Sequence, residues 1–358
     1  MALAIQAGGG KTNYPYAVAR VQAKRARLIP LREYEKILRM DVPEITRYVE
    51  ESAYKAEVDE LSSRFGGLDL LEAALTVNEE RTFASVRGML QGEGGHLIGL
   101  FLGRFLADDL KAVLRGKAAG ATRDELLREM LLENLDVFNL FQPLLADDVK
   151  GVDDVIAALE RQTGRAHDLA RVLQKVPQGS PLSHYEDALD KAQYADLLAS
   201  LKVSKQKGAG DFLEFVRHEV DALNLRTAAR WAANGQEGDV SPYIVPGGKR
   251  LKVAEALALS RTRSLAAFAE ACKESALYEP VKEGLEAAVR EGRLAPFEAA
   301  VRRALMADLD RLSHSHPLSI LPILLFLIRK HREVLVLRAV ARGKAAGLSE
   351  SRLQELIV

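Results

Sequence analysis

The segment at residues 8–12, Gly-Gly-Gly-Lys-Thr, has the residue types of a phosphate-binding loop. In such a loop the backbone amides of the glycines and the lysine ammonium group hold the phosphates of a nucleotide. Here Ile5 stands where the motif requires its leading glycine, Pro15 follows closely, and too little chain precedes the segment for a core strand. This segment is the sole support for an enzyme, and we expect it to be a chain terminus without a nucleotide site.

His314 and His316 are a second candidate, because two imidazoles can bind a metal ion. At a spacing of i and i+2 they diverge on a helix, no third ligand is apparent, and Pro317 follows, so we interpret the segment as a polar turn between helices. The single cysteine, Cys272, excludes an intramolecular disulfide and cysteine-rich zinc sites. We expect no catalytic residue, no metal ion and no cofactor.

A cationic pattern occurs three times in the chain. Residues 115–120, Arg-Gly-Lys-Ala-Ala-Gly, recur at 342–347, and the wider pattern Leu-[Lys/Arg]-x3-Arg-x4-Gly also fits the middle of the chain. The copies are separated by 115 and 112 residues, which indicates one module that has been triplicated. The cations are Lys111, Arg115, Arg226, Arg230, Arg338 and Arg342, and the glycines are Gly120, Gly235 and Gly347.

Each copy has the signals of a helix end, with an arginine in the last turn and a glycine that can take the left-handed cap conformation. The two cations of a copy lie at i and i+4, where like charges are mildly destabilising. Two interpretations of this cost stay open. Either nearby acidic residues, Asp108, Asp109, Asp221 and Glu333, neutralise the cations inside the module, or the cations form an outward-facing surface for a partner.

The elements that must position these residues are helices. Alanine, leucine, arginine, glutamate and lysine dominate, and apolar residues recur at helical spacing, as at Leu97, Phe101 and Phe105. We predict an all-α fold of three helical modules, at residues 1–128, 129–240 and 241–358. The N-terminal helix of the first module is a candidate for packing on another module, since repeat units complete one another's cores.

Composition excludes several classes of protein. Hydrophobic residues are 48% and charged residues 28% of the chain, as in globular proteins. Lysine plus arginine and aspartate plus glutamate each number 50, so no net charge attracts nucleic acid or anionic lipid. The most apolar run, residues 318–328, is interrupted by Ser319 and Pro322 and predicts a buried helix. No signal-peptide pattern opens the chain, so we expect a cytoplasmic location.

Several segments of the chain resemble one known family. Residues 14–28, with the sequence YPYAVARVQAKRARL, are similar to the opening of the C subunit of archaeal-type (A/V-type) ATP synthases, a relative of the d subunit of the vacuolar ATPase. The resemblance continues through residues 34–54, 221–230, 243–248 and 342–358, and so covers nearly the whole chain. It departs from the family pattern at residues 1–10 and 147–175.

The resemblance implies three related helical modules in a pseudo-threefold arrangement around a central funnel-like cavity. It also implies a non-catalytic subunit that couples the membrane proteolipid ring to the central stalk during ATP synthesis or ion pumping. Its partners would be the ring and the stalk subunits, with no nucleic acid and with membrane contact only through the ring, at the cytoplasmic face of the cell membrane. By resemblance, the matching cations stabilise the three helix ends near the cavity. The alternative is a free-standing helical repeat scaffold that binds peptide or nucleic acid.

Overall fold

A computed structural model describes residues 12–130, 138–204, 208–235 and 238–357. Within these ranges the regular structure consists of eighteen α-helices and two short 3-10 helices, without a strand. The predicted all-α class is therefore confirmed. The described part of the chain contains no helix that is both long and apolar enough to cross a bilayer.

The chain forms two compact units. Unit 1 consists of the described residues from Val172 to Leu321, and unit 2 of those up to Arg171 together with those from Pro322 onward. The predicted three-module division, with boundaries at 128 and 240, stays a prediction, as does the pseudo-threefold arrangement around a funnel-like cavity.

The helices of unit 2 come from both ends of the chain. They are α1 (Tyr14–Arg25), α2 (Leu31–Ile37), α3 (Val42–Glu50), α4 (Lys55–Leu61), α5 (Gly67–Met89), α6 (Glu93–Ala119), α7 (Arg123–Glu129), α8 (Phe138–Phe141), α9 (Val152–Glu160), α10 (Arg165–Leu173), α17 (Leu321–Ala345) and α18 (Glu350–Ile357), with a 3-10 helix at Gln142–Leu145. The helices of unit 1 are α11 (Leu182–Val203), α12 (Ala209–Ala233), α13 (Val253–Ser260), α14 (Leu265–Cys272), α15 (Tyr278–Glu291) and α16 (Ala295–Ser315), with a 3-10 helix at Ser241–Tyr243.

The order of helix lengths repeats along the chain. Two short helices of 7 to 14 residues are followed by two long helices of 21 to 27 residues, three times over. We call α3 to α6 set 1, α9 to α12 set 2 and α14 to α17 set 3. The fourth helix of each set, α6, α12 or α17, carries one copy of the cationic pattern. The repeated pattern thus marks the same element each time.

Local signals define where the first helices of two sets begin. Before α3 the Asp41 carboxylate accepts a hydrogen bond from the Glu44 amide, and the Glu44 side chain accepts one from the Asp41 amide, which completes a capping box. Before α14 the Ser264 hydroxyl accepts from the Ala267 amide. Both helices then turn apolar residues inward, as with Ile45 in α3. These starts depend on sequence neighbours alone.

The core of unit 2 joins the beginning and the end of the chain. Buried residues of α2 to α5, such as Ile45 and Leu71, form one cluster with Val334 and Leu337 of α17 and Leu353 of α18. Residues 320–327 are also buried, as the apolar run predicts. The fourth helix of set 3 therefore packs in the core of set 1, and in the same unit α6 packs on α9 of set 2.

The core of unit 1 also contains a fourth helix packed against the set that follows it. Apolar residues of α12, including Leu225 and Ala228, form a cluster with α13 to α16. The rings of Phe268 in α14 and Phe297 in α16 meet edge to face with their centroids 5.6 Å apart. Here the fourth helix of set 2 packs on the helices of set 3. In these two cores a fourth helix packs with the set that follows it, with set 1 following set 3.

Candidate functional site

The predicted site residues lie in the last turns of the three fourth helices. The second cation of each copy, Arg115, Arg230 or Arg342, is exposed, whereas the first, Lys111, Arg226 or Arg338, is partly buried. All three glycines have a left-handed backbone, with φ values of 75°, 58° and 72° for Gly120, Gly235 and Gly347. An L-residue rarely adopts this conformation, so glycine serves as the cap.

The Arg-Gly-Lys-Ala-Ala-Gly identity of copies 1 and 3 has a packing reason. A Cβ atom on Gly116 would lie 2.2 Å from Leu126 Cδ2, and one on Gly343 would lie 2.3 Å from Leu353 Cδ2. The glycine in the helix thus makes room for a leucine of the short helix that follows. In copy 2 the corresponding residue is Trp231, whose ring lies 5.3 Å from that of Tyr243. The middle copy therefore ends its helix with a different packing partner.

The second cations of copies 2 and 3 form ion pairs with another set. Arg342 Nε lies 2.5 Å from Glu72 Oε1, and a second guanidinium nitrogen donates to Glu72 Oε2 at 2.9 Å. Arg230 Nε lies 2.5 Å from Glu298 Oε1. Glu72 lies in the first turns of α5 and Glu298 in the first turns of α16, the third helices of sets 1 and 3. Each pair therefore links a fourth helix to the third helix of the set that follows.

The first cations differ from one another. Lys111 pairs with Asp108 on its own helix at 2.7 Å. Arg338 donates to the Thr76 hydroxyl at 2.7 Å, one helical turn beyond Glu72 on α5. Neither contact depends on the second cation of the same copy. Lys111 thus has an acidic partner on its own helix, whereas Arg338 contacts a neutral hydroxyl.

Arg226 is in a less favourable environment than Arg338. Burial lowers the pKa of Arg226, the neighbouring charges of Arg230 and Arg302 lower it further, and Glu298 opposes them. Arg226 Nε is buried and has no hydrogen-bond partner among the described residues, and the same holds for Nε of Arg338. Arg302 lies one turn beyond Glu298, where set 1 has Thr76. The second copy thus places a cation against a cation.

Two of the acidic residues expected to neutralise the cations have other partners. Glu333 accepts hydrogen bonds from the Ile29 amide at 2.5 Å and from the Tyr54 hydroxyl at 2.6 Å. Asp221 accepts from the amides of Arg250 at 2.8 Å and Leu251 at 3.1 Å. Both carboxylates therefore hold the loop that precedes a short helix, α2 or α13. The signal was present in the sequence, since each lies nine residues before the second cation of its copy.

A second side chain of α12 fixes the loop after the 3-10 helix of unit 1. Asn224, which is fully buried, donates to the Val245 carbonyl at 2.7 Å and accepts from the Val245 amide at 2.9 Å. Three residues on, a Cβ atom on Gly248 would lie 2.2 Å from Asp221 Oδ1, so glycine is required for the loop to approach the carboxylate. Asp221 and Asn224 lie one turn apart and act on one loop.

The remaining motifs give no chemical site in the described residues. His314 and His316 are exposed at the end of α16, with His314 Nδ1 2.6 Å from the Asp310 carbonyl oxygen. No group of three metal-ligating side chains occurs in the part of the chain that the structure describes. Burial raises the pKa of the Cys272 thiol to about 11, which disfavours a reactive thiolate. Four residues of the glycine-rich segment, 8–11, lie outside the described residues.

The sequence matches one family of known proteins over almost its full length. Residues 17–356 match the family model for the ATP synthase (C/AC39) subunit. The chain belongs to this family. It is 33% identical over 350 residues to the C subunit of the A-type ATP synthase of Haloferax volcanii, covering 98% of this chain and 99% of that protein.

Two further relatives show the same extent of similarity. The C subunit of the A-type ATP synthase of Methanosarcina acetivorans is 32% identical over 353 residues, covering 98% of this chain and 94% of its own. That of Haloquadratum walsbyi is 31% identical over 345 residues, covering 96% and 98%. The family predicted from residues 14–28 and the later segments is therefore confirmed over nearly the full length of the chain.

Proposed function

We propose that the chain is the C subunit of a rotary A-type ATP synthase and couples the membrane proteolipid ring to the central stalk. The match of residues 17–356 to the (C/AC39) subunit family carries this proposal. The subunit would act without catalysis of its own, at the cytoplasmic face of the membrane, and would reach the membrane only through the ring.

The way in which the sets are joined supports a mechanical role. A part that transmits torque must not shear between its modules. Two fourth helices, α17 and α12, pack in the core of the following set and are also joined to that set by the ion pairs Arg342–Glu72 and Arg230–Glu298. Interdigitated cores resist sliding because every displacement exposes apolar surface.

The coupling role is tested by binding of the purified chain to two partners separately. These are the detergent-solubilised proteolipid ring and the central-stalk subunits of the same complex, at moderate salt. We expect stable binding to both and no nucleotide hydrolysis by the chain alone. Binding to neither partner, together with salt-sensitive binding of nucleic acid or peptide, would instead support the helical repeat scaffold.

The six cations require a test that separates partner contact from internal pairing. We propose Arg226 as the cation most suited to a partner, because burial and the cations Arg230 and Arg302 disfavour its charge within the chain. Arg226→Met is expected to change the free energy of unfolding by less than about 1 kcal/mol and to weaken partner binding. The matched control is Arg342→Met, which leaves Glu72 without its cation and should destabilise the chain by about 1–3 kcal/mol. Unchanged binding of Arg226→Met to both partners would assign this cation a purely internal role.

A further inference from the structure

A cleft in unit 2 lies beside the C-terminal end of α1. Its volume is about 180 Å³, and its walls come from the end of α1, from α4, α5 and α17. The charged residues that line it are Lys24, Arg27, Glu57, Arg81 and Lys330. Four cations therefore face one carboxylate. For comparison, a cavity of about 150 Å³ holds a molecule of the size of benzene.

The part of the cleft formed by Glu57, Arg81 and Lys330 is neutralised by groups of the protein itself. Glu57 accepts hydrogen bonds from Asn78 Nδ2 at 2.7 Å and from Arg81 at 3.2 Å. Arg81 also pairs with Glu60 at 2.7 Å. Lys330 donates to Glu333 at 3.1 Å and covers the ring of Tyr54 at 3.8 Å. The cations and carboxylates of this part are therefore already paired with one another.

Lys24 and Arg27 are not paired in this way. Neither forms an ion pair with a carboxylate of the described residues. Burial lowers the pKa of Lys24, and the charges of Arg27 and Arg20 lower it further, with no acidic group opposing them. Two cations that repel each other are thus held at a concave surface, at an electrostatic cost that a bound dianion would remove.

The end of the helix dipole explains only part of this arrangement. Lys24 and Arg25 both lie in the last turn of α1, where cations are favourable. Only Lys24 of these two lines the cleft, and Arg27 lies beyond the helix end and lines it as well. The helix dipole therefore does not explain why both Lys24 and Arg27 line the cleft.

We propose that this cleft binds a phosphate dianion, held by Lys24 and Arg27. An arginine guanidinium group and a lysine ammonium group are the side chains that recognise phosphate oxygens. Thr82 on α5 also lines the cleft, and its hydroxyl offers a further donor. The site is distinct from the repeated helix ends and does not rest on the proposed coupling role. Binding involves no bond cleavage.

The test is a calorimetric titration of the full chain with inorganic phosphate at constant ionic strength. We expect saturable binding that weakens at least tenfold in Lys24→Gln/Arg27→Gln. The matched control is Arg25→Gln, which removes a neighbouring positive charge outside the cleft and should change the affinity less than twofold. A second readout is the pKa of Lys24 followed by NMR, which should rise when phosphate is added.

Titration with ADP separates the two sources of phosphate. Tighter binding of ADP than of phosphate, lost in the same double variant, assigns the site to the phosphates of a nucleotide. Equal or weaker binding assigns it to the free anion, and both outcomes support the site. Three results overturn the proposal: no saturable phosphate binding, equal loss in Arg25→Gln, or binding of an acidic peptide but not of phosphate.

Discussion

Glu333→Gln removes the charge of a carboxylate that three groups of unit 2 share. The Ile29 amide, the Tyr54 hydroxyl and the Lys330 ammonium group all donate to it. The side chains of Glu333 and Lys330 are each only 4% exposed. Glutamine has nearly the same shape, but one of its two terminal atoms is an amide nitrogen that cannot accept a hydrogen bond.

The size of the effect follows from burial. Removing one partner of a buried ion pair costs about 3–5 kcal/mol because the other charge is left unpaired. Burial lowers the pKa of Lys330, and Glu333, Glu79 and Glu57 oppose this, so two other carboxylates still act on the Lys330 charge once Glu333 is neutral. We therefore expect Glu333→Gln to lower the free energy of unfolding by about 3 kcal/mol, the lower end of that range. Lys330→Met/Glu333→Gln should recover most of this loss, since neither member of the pair is left as an unpaired charge.

Urea unfolding followed by far-UV circular dichroism measures the change. Trp231, the single tryptophan, lies in unit 1, so its fluorescence monitors the other unit in the same samples. Glu350→Gln is the matched control, because Glu350 is 55% exposed and 4.0 Å from Arg39, and it should cost less than about 0.5 kcal/mol. A loss below about 1 kcal/mol for Glu333→Gln, or no recovery in the double variant, would refute the reasoning.

Three further predictions concern unit 1. Gly248→Ala should destabilise the chain by about 1–3 kcal/mol in urea unfolding, because the added Cβ meets Asp221 Oδ1 at 2.2 Å. The control is Gly210→Ala, which has open space around it and should be neutral or stabilising. Burial raises the pKa of the Cys272 thiol to about 11, so the unfolded state loses the thiol proton at a lower pH than the folded state does. The free energy of unfolding should therefore fall by about 3 kcal/mol as the pH rises from about 9 to 11. Cys272→Ala should remove that part of the alkaline slope, and an unchanged slope would contradict the assignment. Burial lowers the pKa of His218, so the unfolded state takes up a proton first and the free energy of unfolding should fall as the pH drops below about 6.5. His218→Gln should make the urea midpoint of unfolding less dependent on pH between about pH 5 and 7.

Sequence reasoning succeeds where the determinants are local. Helical composition predicts the all-α class, and the glycine at each cationic helix end occupies a left-handed position that depends only on its own turn. The repeat is visible in the sequence because the identical segments at 115–120 and 342–347 make the same local contact, in which a leucine of the next helix packs against a glycine of the long helix. The family is recognisable from the segments that begin at residue 14.

The partners of the site residues could not be predicted, since they depend on which helices meet. Glu72 is 270 residues from Arg342, and the sequence around either residue does not indicate that the two form a pair. Asp221 is expected from the sequence to neutralise the cations of its own module, because it lies only five residues before Arg226. Its side chain instead faces the loop at Arg250, and only the packing of α12 on α13 brings that loop within reach.

The two kinds of contact made by a fourth helix explain why both ends of the repeated pattern have polar residues. The acidic residue, Asp221 or Glu333, is buried and holds the loop before α13 or α2, the short helix that precedes the next set. The exposed arginine, Arg230 or Arg342, pairs with the start of that set's third helix. The two contacts are about nine residues apart, or roughly 13 Å along the helix. Two such attachments prevent rotation of the helix about a single point of contact. The polar residues of copies 2 and 3 therefore fix the orientation of α12 and α17 on the helices that they pack against, as the proposed coupling role would require.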